Sequence, residues 1–285
     1  MFKSHFQAVL ANIIWGSLPI YFYLIGEYPP LFLLSVQMIS TFLALLVFIF
    51  SMKSKEIKIK IKISNLSISL VPSILLTLNW GGYAIAVKSG YVIEASYAYL
   101  ILPILLLSIN LFLGKENDLN KKACILLSLI IIAADCYING VFPVIGFMIA
   151  IPFVGYILWH RKHNLHLIES LFYETLLMLP LGIGLYFYIG GSNIQQVRIT
   201  DMFGLLILGV LTVIPLALFV NSSKKVSFNI LSVYQLISPI LGMSIGIFLY
   251  DQTLKTHTVI AYCALIFVLI AYNIRILKEN RNGLS

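Results

Sequence analysis

Glu174 is a carboxylate set about nine residues into the apolar stretch 165–189. At 1.5 Å of rise per residue, a helix would carry it roughly 13 Å deep. An acid at the centre of a membrane helix costs about 2.5–3.5 kcal/mol to insert, so it persists where it works. Glu174 is therefore expected to couple charge, by binding a proton or facing a cationic cargo. The plainer alternative is a buried structural hydrogen bonder. Glu94 is a second candidate for charge coupling, in the first turn of the stretch 92–113. A carboxylate there also gains from the helix dipole as a simple cap. Asp135 and Glu169 fall close to the ends of their stretches, where headgroup water reaches them.

Uncharged polar and aromatic residues supply the rest of a candidate pathway. Asn79 and Trp80 lie at mid-depth of the stretch 66–87, followed by Gly81 and Gly82. An amide can hydrogen-bond a cargo, and an indole face can hold a cation; helix–helix packing is the structural alternative. Tyr99 and Gln235 each stand four residues before a proline, Pro103 and Pro239. A proline cannot donate to the carbonyl four residues back. Tyr99 and Gln235 thus offer free backbone acceptors as well as side chains, and Pro103 and Pro239 are candidate hinges. Trp15 and Gln37 complete the candidate pathway set, and Asn12 is a weaker member.

The elements that must position these residues are membrane spans. Of 285 residues, 60% are hydrophobic and 11% charged, against about 25% charged in soluble domains. So few charges cannot solvate a globular surface, and lipid must be the solvent. Spans need roughly 20 apolar residues. Ten are predicted, at 6–25, 31–51, 66–87, 92–113, 123–138, 143–159, 165–189, 202–221, 229–250 and 257–276. The first follows Lys3 as a signal peptide would, but lacks a small-x-small cleavage site and is expected to be retained. Seven prolines fall inside spans, where broken backbone has to face the bundle interior. No stretch is large enough for a soluble ATP-binding domain, and no glycine-rich phosphate loop is present, which excludes a self-contained primary pump.

Charge sets the orientation. With both ends in the cytoplasm, sixteen of the nineteen Lys and Arg residues fall on the cytoplasmic side, among them Lys53, Lys55, Lys58, Lys60 and Lys62. Only Lys88, Arg198 and Lys255 fall outside. This is the positive-inside asymmetry. It reads the net charge of +8 as membrane topology rather than as affinity for nucleic acid. Cys124, Cys136 and Cys263 have no metal-ligand spacing. His160, His163 and His166 are three apart and could hold a metal, yet read as a basic polar loop beside Arg161 and Lys162; His5 and His257 also fall at span ends. No metal, cofactor or catalytic residue is expected. The partners the sequence points to are a small-molecule substrate, the lipid bilayer and a second copy of the chain as a homodimer.

Residues 96–113, SYAYLILPILLLSINLFL, return at 232–249 as SVYQLISPILGMSIGIFL, with ten of eighteen positions identical. The shared Ser96/Ser232, Pro103/Pro239 and Ser108/Ser244 are harder to obtain by chance than the leucines and isoleucines. The offset relates span 4 to span 9 and span 5 to span 10. Five spans per half is odd, so halves 1–140 and 141–285 would insert in opposite senses, with substrate between them. A polytopic membrane enzyme acting on a lipid or lipid-linked substrate, and a channel, are the alternatives. No selectivity-filter repeat is visible for the latter.

Several ordered motifs resemble the EamA/RarD group of the drug/metabolite transporter superfamily. They are Ile14-Trp15-Gly16-Ser17-Leu18-Pro19, Asn79-Trp80, Ile93-Glu94-Ala95-Ser96, Arg161-Lys162, Glu174-Thr175 with Pro180, Thr212-Val213-Ile214-Pro215-Leu216, and Tyr234-Gln235-Leu236-Ile237-Ser238-Pro239. The resemblance implies an all-α bundle of ten helices in two inverted five-helix repeats, and outward movement of small metabolites or drugs through a permease or exporter in the cell membrane. The sequence departs from that pattern early in span 2, where Phe32, Val36 and Gln37 replace the usual Glu and His-Arg pair. It departs again after span 4, where Gly114-Lys115-Glu116 replaces Gly-Glu, and after span 9, where the acidic position is Asp251.

Overall fold

The computed structural model describes residues 2–51, 63–114, 118–140, 142–163, 167–190 and 199–281. The basic run at 53–62, Lys115, Glu116, His166 and Arg198 lie outside them. The described residues form twelve α-helices and no strand: α1 (Phe2–Gly16), α2 (Leu18–Leu24), α3 (Pro30–Ser51), α4 (Ile63–Lys88), α5 (Val92–Gly114), α6 (Leu119–Asn139), α7 (Val144–Lys162), α8 (Leu167–Gly190), α9 (Ile199–Ser223), α10 (Phe228–Tyr234), α11 (Ile237–Phe248) and α12 (Thr256–Arg281). In a bilayer every backbone group has to be satisfied within its own segment, and helices do this.

Nine helical stretches among the described residues are long and apolar enough to span, with α1 and α2 counted together. The tenth expected span, 229–250, is not one helix. It divides into α10 and α11 at Gln235-Leu236. Pro239 has no N–H to offer the Gln235 carbonyl, and Leu236 N–H bonds three residues back to Val233 O at 3.0 Å. The first span breaks in the same way at Ser17, with Pro19 opening α2 and the Trp15 carbonyl left over. By contrast α5 runs unbroken through Pro103, and α4, α7, α8 and α9 through Pro72, Pro152, Pro180 and Pro215.

Helix ends are fixed locally. Asp118 caps α6 by accepting from Asn120 N–H and Lys121 N–H at 2.9 and 3.1 Å, satisfying donors that would otherwise be orphaned. Gly140 closes α6 with φ +67°, a left-handed conformation that glycine adopts without strain. In the bundle, α3 packs on α8 and α9, α4 on α7 and α8, and α5 on α7 and α11. Helix α1 packs on α9 and α11, and α6 on α12. Small residues permit the closest approaches. A Cβ on Gly209 would collide with the Ser40 carbonyl of α3, and one on Gly242 with Ser96 of α5. The outer surface is apolar, with Phe187, Phe203, Phe248 and Phe267 exposed. The molecule is a multi-pass membrane protein.

Candidate functional site

Five of the residues singled out from the sequence meet around one cavity. Trp15, Gln37, Asn79, Trp80 and Tyr99 line it, together with Leu18, Tyr83, Phe153, Leu211, Thr212 and Leu216. Its volume is about 30 Å³, room for about one water. Each lining residue is placed by helix geometry. Asn79 and Tyr83, one turn apart on α4, share a face. Leu211, Thr212 and Leu216 come from mid-α9, and Phe153 from mid-α7.

The amides are anchored by their donors. Asn79 Nδ2 donates to the Ile149 carbonyl at 2.9 Å. Gln37 Nε2 donates to Thr212 Oγ1 at 3.1 Å, and that hydroxyl donates to the Leu208 carbonyl at 2.7 Å. Both amide oxygens, Asn79 Oδ1 and Gln37 Oε1, keep their acceptor capacity among the described residues. The aromatic lining includes two groups of touching rings. Trp15 meets Phe153 edge-on at 5.5 Å and Phe219 at 5.1 Å, and Tyr83 meets Tyr99 at 6.1 Å. No charged side chain lines this cavity among the described residues. The arrangement can accept hydrogen bonds from a guest and hold it against π faces.

Glu174 lies elsewhere. It is the eighth of the 24 residues of α8, close to the position in the span that the sequence implied. It is fully buried. Ser170, one turn earlier, donates to Oε1 at 2.8 Å, and Tyr156 donates to Oε2 at 3.0 Å. His160 Nε2 lies 2.9 Å from Oε1, although the ring is not aligned for a hydrogen bond. The two groups thus touch without the geometry of a hydrogen bond. Lys224, just past α9, is drawn into the same neighbourhood. Burial pushes its ammonium below the ordinary lysine range, and the Glu174 charge pulls it partly back up.

His160 thus departs from the expected basic loop. Helix α7 continues to Lys162, so His160 sits on a helix face turned inward and is buried. His163 stacks beside Trp159 at the helix end, and no cluster of three metal-ligating residues exists among the described residues. The reading also missed Tyr83, Phe153 and Thr212 in the cavity, and Tyr156, Ser170 and Lys224 around the acid. Ser170-x-x-x-Glu174 and Tyr156-x-x-x-His160 are one-turn spacings that could have signalled the latter group.

The remaining candidates scatter. Glu94 is exposed at the start of α5, as its first-turn position implied. With Asp135, Asn139, Lys255, Thr258 and Tyr262 it borders a separate cleft of about 290 Å³ between α5, α6 and α12. Asn139 donates to Asp135 at 2.9 Å and meets His257 at 2.8 Å. Glu169 accepts from Asn65 at 2.7 Å and ties α8 to α4. Gln235 is outside the cavity, although its counterpart Tyr99 is in it. Its amide is buried at the α10–α11 break, with neither Nε2 nor Oε1 partnered among the described residues.

No family model matches the chain. Curated relatives do. The uncharacterized transporter YojE of Bacillus subtilis is 26% identical over 99% of this chain and 97% of its own length. An uncharacterized transporter of Vibrio cholerae is 24% identical over 97% and 93%, and the Escherichia coli protein RarD 25% identical over 86% and 85%. The resemblance to RarD holds over nearly the whole chain. One solved crystal structure shares the fold at a TM-score of 0.65, covering 96% of this chain and 98% of that one at 16% identity.

Proposed function

We propose that this RarD-like protein is a secondary carrier, not an enzyme, that moves a small amphipathic molecule across the cell membrane by alternating access, with both chain ends in the cytoplasm. The observation that carries this reading is the central cavity. Its walls come from both predicted halves: Trp15, Gln37, Asn79, Trp80 and Tyr99 from residues 1–140, and Phe153, Leu211, Thr212 and Leu216 from 141–285. A site between two halves is what inverted repeats use.

Helix pairing supports the two-repeat reading. If spans 1–5 correspond to spans 6–10, the α4–α7 contact corresponds to α1–α9. The α3–α9 contact corresponds to α8–α4, and α5–α7 to α1–α11. All six contacts are made. The names of the relatives, transporters in Bacillus subtilis and Vibrio cholerae, support the class.

The cavity's chemistry narrows the cargo. It offers acceptor oxygens from Asn79 and Gln37, π faces from two tryptophans and two tyrosines, and no lining charge. In this closed form the cavity admits about one water; opened, the same walls suit a flat molecule bearing N–H donors or a delocalised positive charge. Glu174 is assigned charge coupling. Comparing the metabolites of cells with and without the protein identifies the cargo, and counterflow of that compound in proteoliposomes tests the carrier. Saturable exchange that Trp80→Ala weakens at least tenfold is expected. Product formation, or conductance without saturation, would overturn the proposal.

A further inference from the structure

We propose that His160 and Glu174 together form a proton-binding site, linked to the central cavity along one face of α7, whose loading releases the cytoplasmic ends of α7 and α8 from each other. Its use in transport rests on the carrier reading; its acid–base chemistry does not.

A buried acid and a buried base stand 2.9 Å apart without an aligned hydrogen bond to fix the proton between them. Tyr156 and Ser170 hold the carboxylate from its other sides. The ionisable groups nearby are few. Helix α7 contributes Tyr156 and Arg161, α8 contributes Tyr173 and Glu169, and Lys224 follows α9. Among the packed neighbours, α3 has no ionisable side chain. Those of α4 (Tyr83, Lys88) and α5 (Glu94, Tyr97, Tyr99) lie toward the opposite end, as does Asp201 of α9. From α7 the Glu174 carboxylate is met by His160 and by the Tyr156 hydroxyl, and the Lys224 ammonium lies close enough to feel its charge.

Protonating Glu174 removes the only negative charge buried among them. The acceptor that holds the Tyr156 hydroxyl and the charge that faces His160 are then both weakened, and these are the contacts that tie α7 to α8 at this point. Arg161 at the same time donates to the Val226 carbonyl at 3.1 Å, so α7 carries the α9–α10 connection with it. The release acts on the cytoplasmic closure of the bundle.

The link to the cavity is geometric. Phe153, Tyr156 and His160 are spaced i, i+3, i+7 and lie along one face of α7. Phe153 lines the cavity. Its ring stacks on Tyr156 with centroids 6.0 Å apart and planes at 7°. The Tyr156 ring is 4.4 Å from His160, and its hydroxyl bonds Glu174. A guest that moves Phe153 therefore moves the hydroxyl that holds the carboxylate.

The test uses the full-length protein in liposomes. Infrared difference spectra between acid and neutral pH are recorded for wild type, Glu174→Gln and His160→Asn. The wild type should show a protonated-carboxyl band that Glu174→Gln abolishes and whose midpoint pH moves in His160→Asn. Hydrogen exchange of segments 153–162 and 167–175 should rise on acidification in the wild type and lose that response in Glu174→Gln. If Glu174→Gln does not fold, the midpoint shift in His160→Asn and His160→Gln decides the matter. A band unchanged in Glu174→Gln, a midpoint unmoved in the histidine variants, or exchange indifferent to pH would each overturn the proposal. Failure of the carrier reading shows separately, as absent counterflow in liposomes whose protein keeps the band.

Discussion

Two donors, Tyr156 and Ser170, converge on Glu174 with His160 in close contact, and deleting the acceptor strands both donors. Glu174→Ala should lower stability by about 3–5 kcal/mol, the range for breaking a buried pair from one side. Glu174→Gln keeps an acceptor oxygen and should cost less. Thermal unfolding of detergent-purified protein ranks the two. Asn79→Ala removes the amide that donates to the Ile149 carbonyl and should cost about 0.5–1.5 kcal/mol, with counterflow reduced as well; unaltered melting would show that this bond contributes nothing to stability. Single residues differed in how legible they were. Glu174 stood out because a mid-span charge is rare. His160 did not, because Trp159-His160-Arg161-Lys162-His163 reads as an interfacial basic end. Only the inward turn of the last α7 residues, set by packing on α4 and α5, buries it. Trp15, Gln37, Asn79, Trp80 and Tyr99 stood out singly as polar and aromatic residues within apolar stretches, and the packing brings them around one cavity. Phe153 and Thr212 were hidden, since one phenylalanine among eighteen carries no signal.

At the scale of elements, hydropathy located the nine long apolar stretches among the described residues, because lipid imposes one length on spans. Interruptions were harder to read. Pro103 and Pro239 share the local sequence Pro-Ile-Leu, yet α5 stays whole and α10–α11 divides. The difference lies in the surroundings: α5 is enclosed by α4, α6, α7, α10 and α11, and that casing holds the helix straight across the missing bond. Glycines gave no warning of their roles either. Gly209 and Gly184 look alike in sequence, but a Cβ at Gly209 meets the Ser40 backbone and one at Gly184 meets nothing within 4 Å. Gly209→Ala should therefore destabilise by about 1–3 kcal/mol or more through overpacking. Gly184→Ala should be neutral or slightly stabilising through helix propensity. Monodispersity after heating separates them, and equal behaviour of the two would contradict the close crossing of α3 and α9.

For the whole molecule, sixteen of nineteen basic residues on one side predict that reporters fused to either end stay in the cytoplasm. Fluorescence from a C-terminal green fluorescent protein, with silent alkaline phosphatase at the same end, is the expected result; the reverse would invert the bundle. The all-helical, multi-pass architecture was legible in composition and hydropathy, while the cavity needed side chains brought together from seven helices. One contact has a mechanical consequence. Where Gly209 meets the Ser40 carbonyl, α3 and α9 touch main chain to main chain, leaving no side-chain layer to shear. Those two helices cannot slide past each other or part without losing their tightest seam. If the proposed carrier swings to expose one mouth and shut the other, this crossing is where it would pivot, as the fulcrum of the motion.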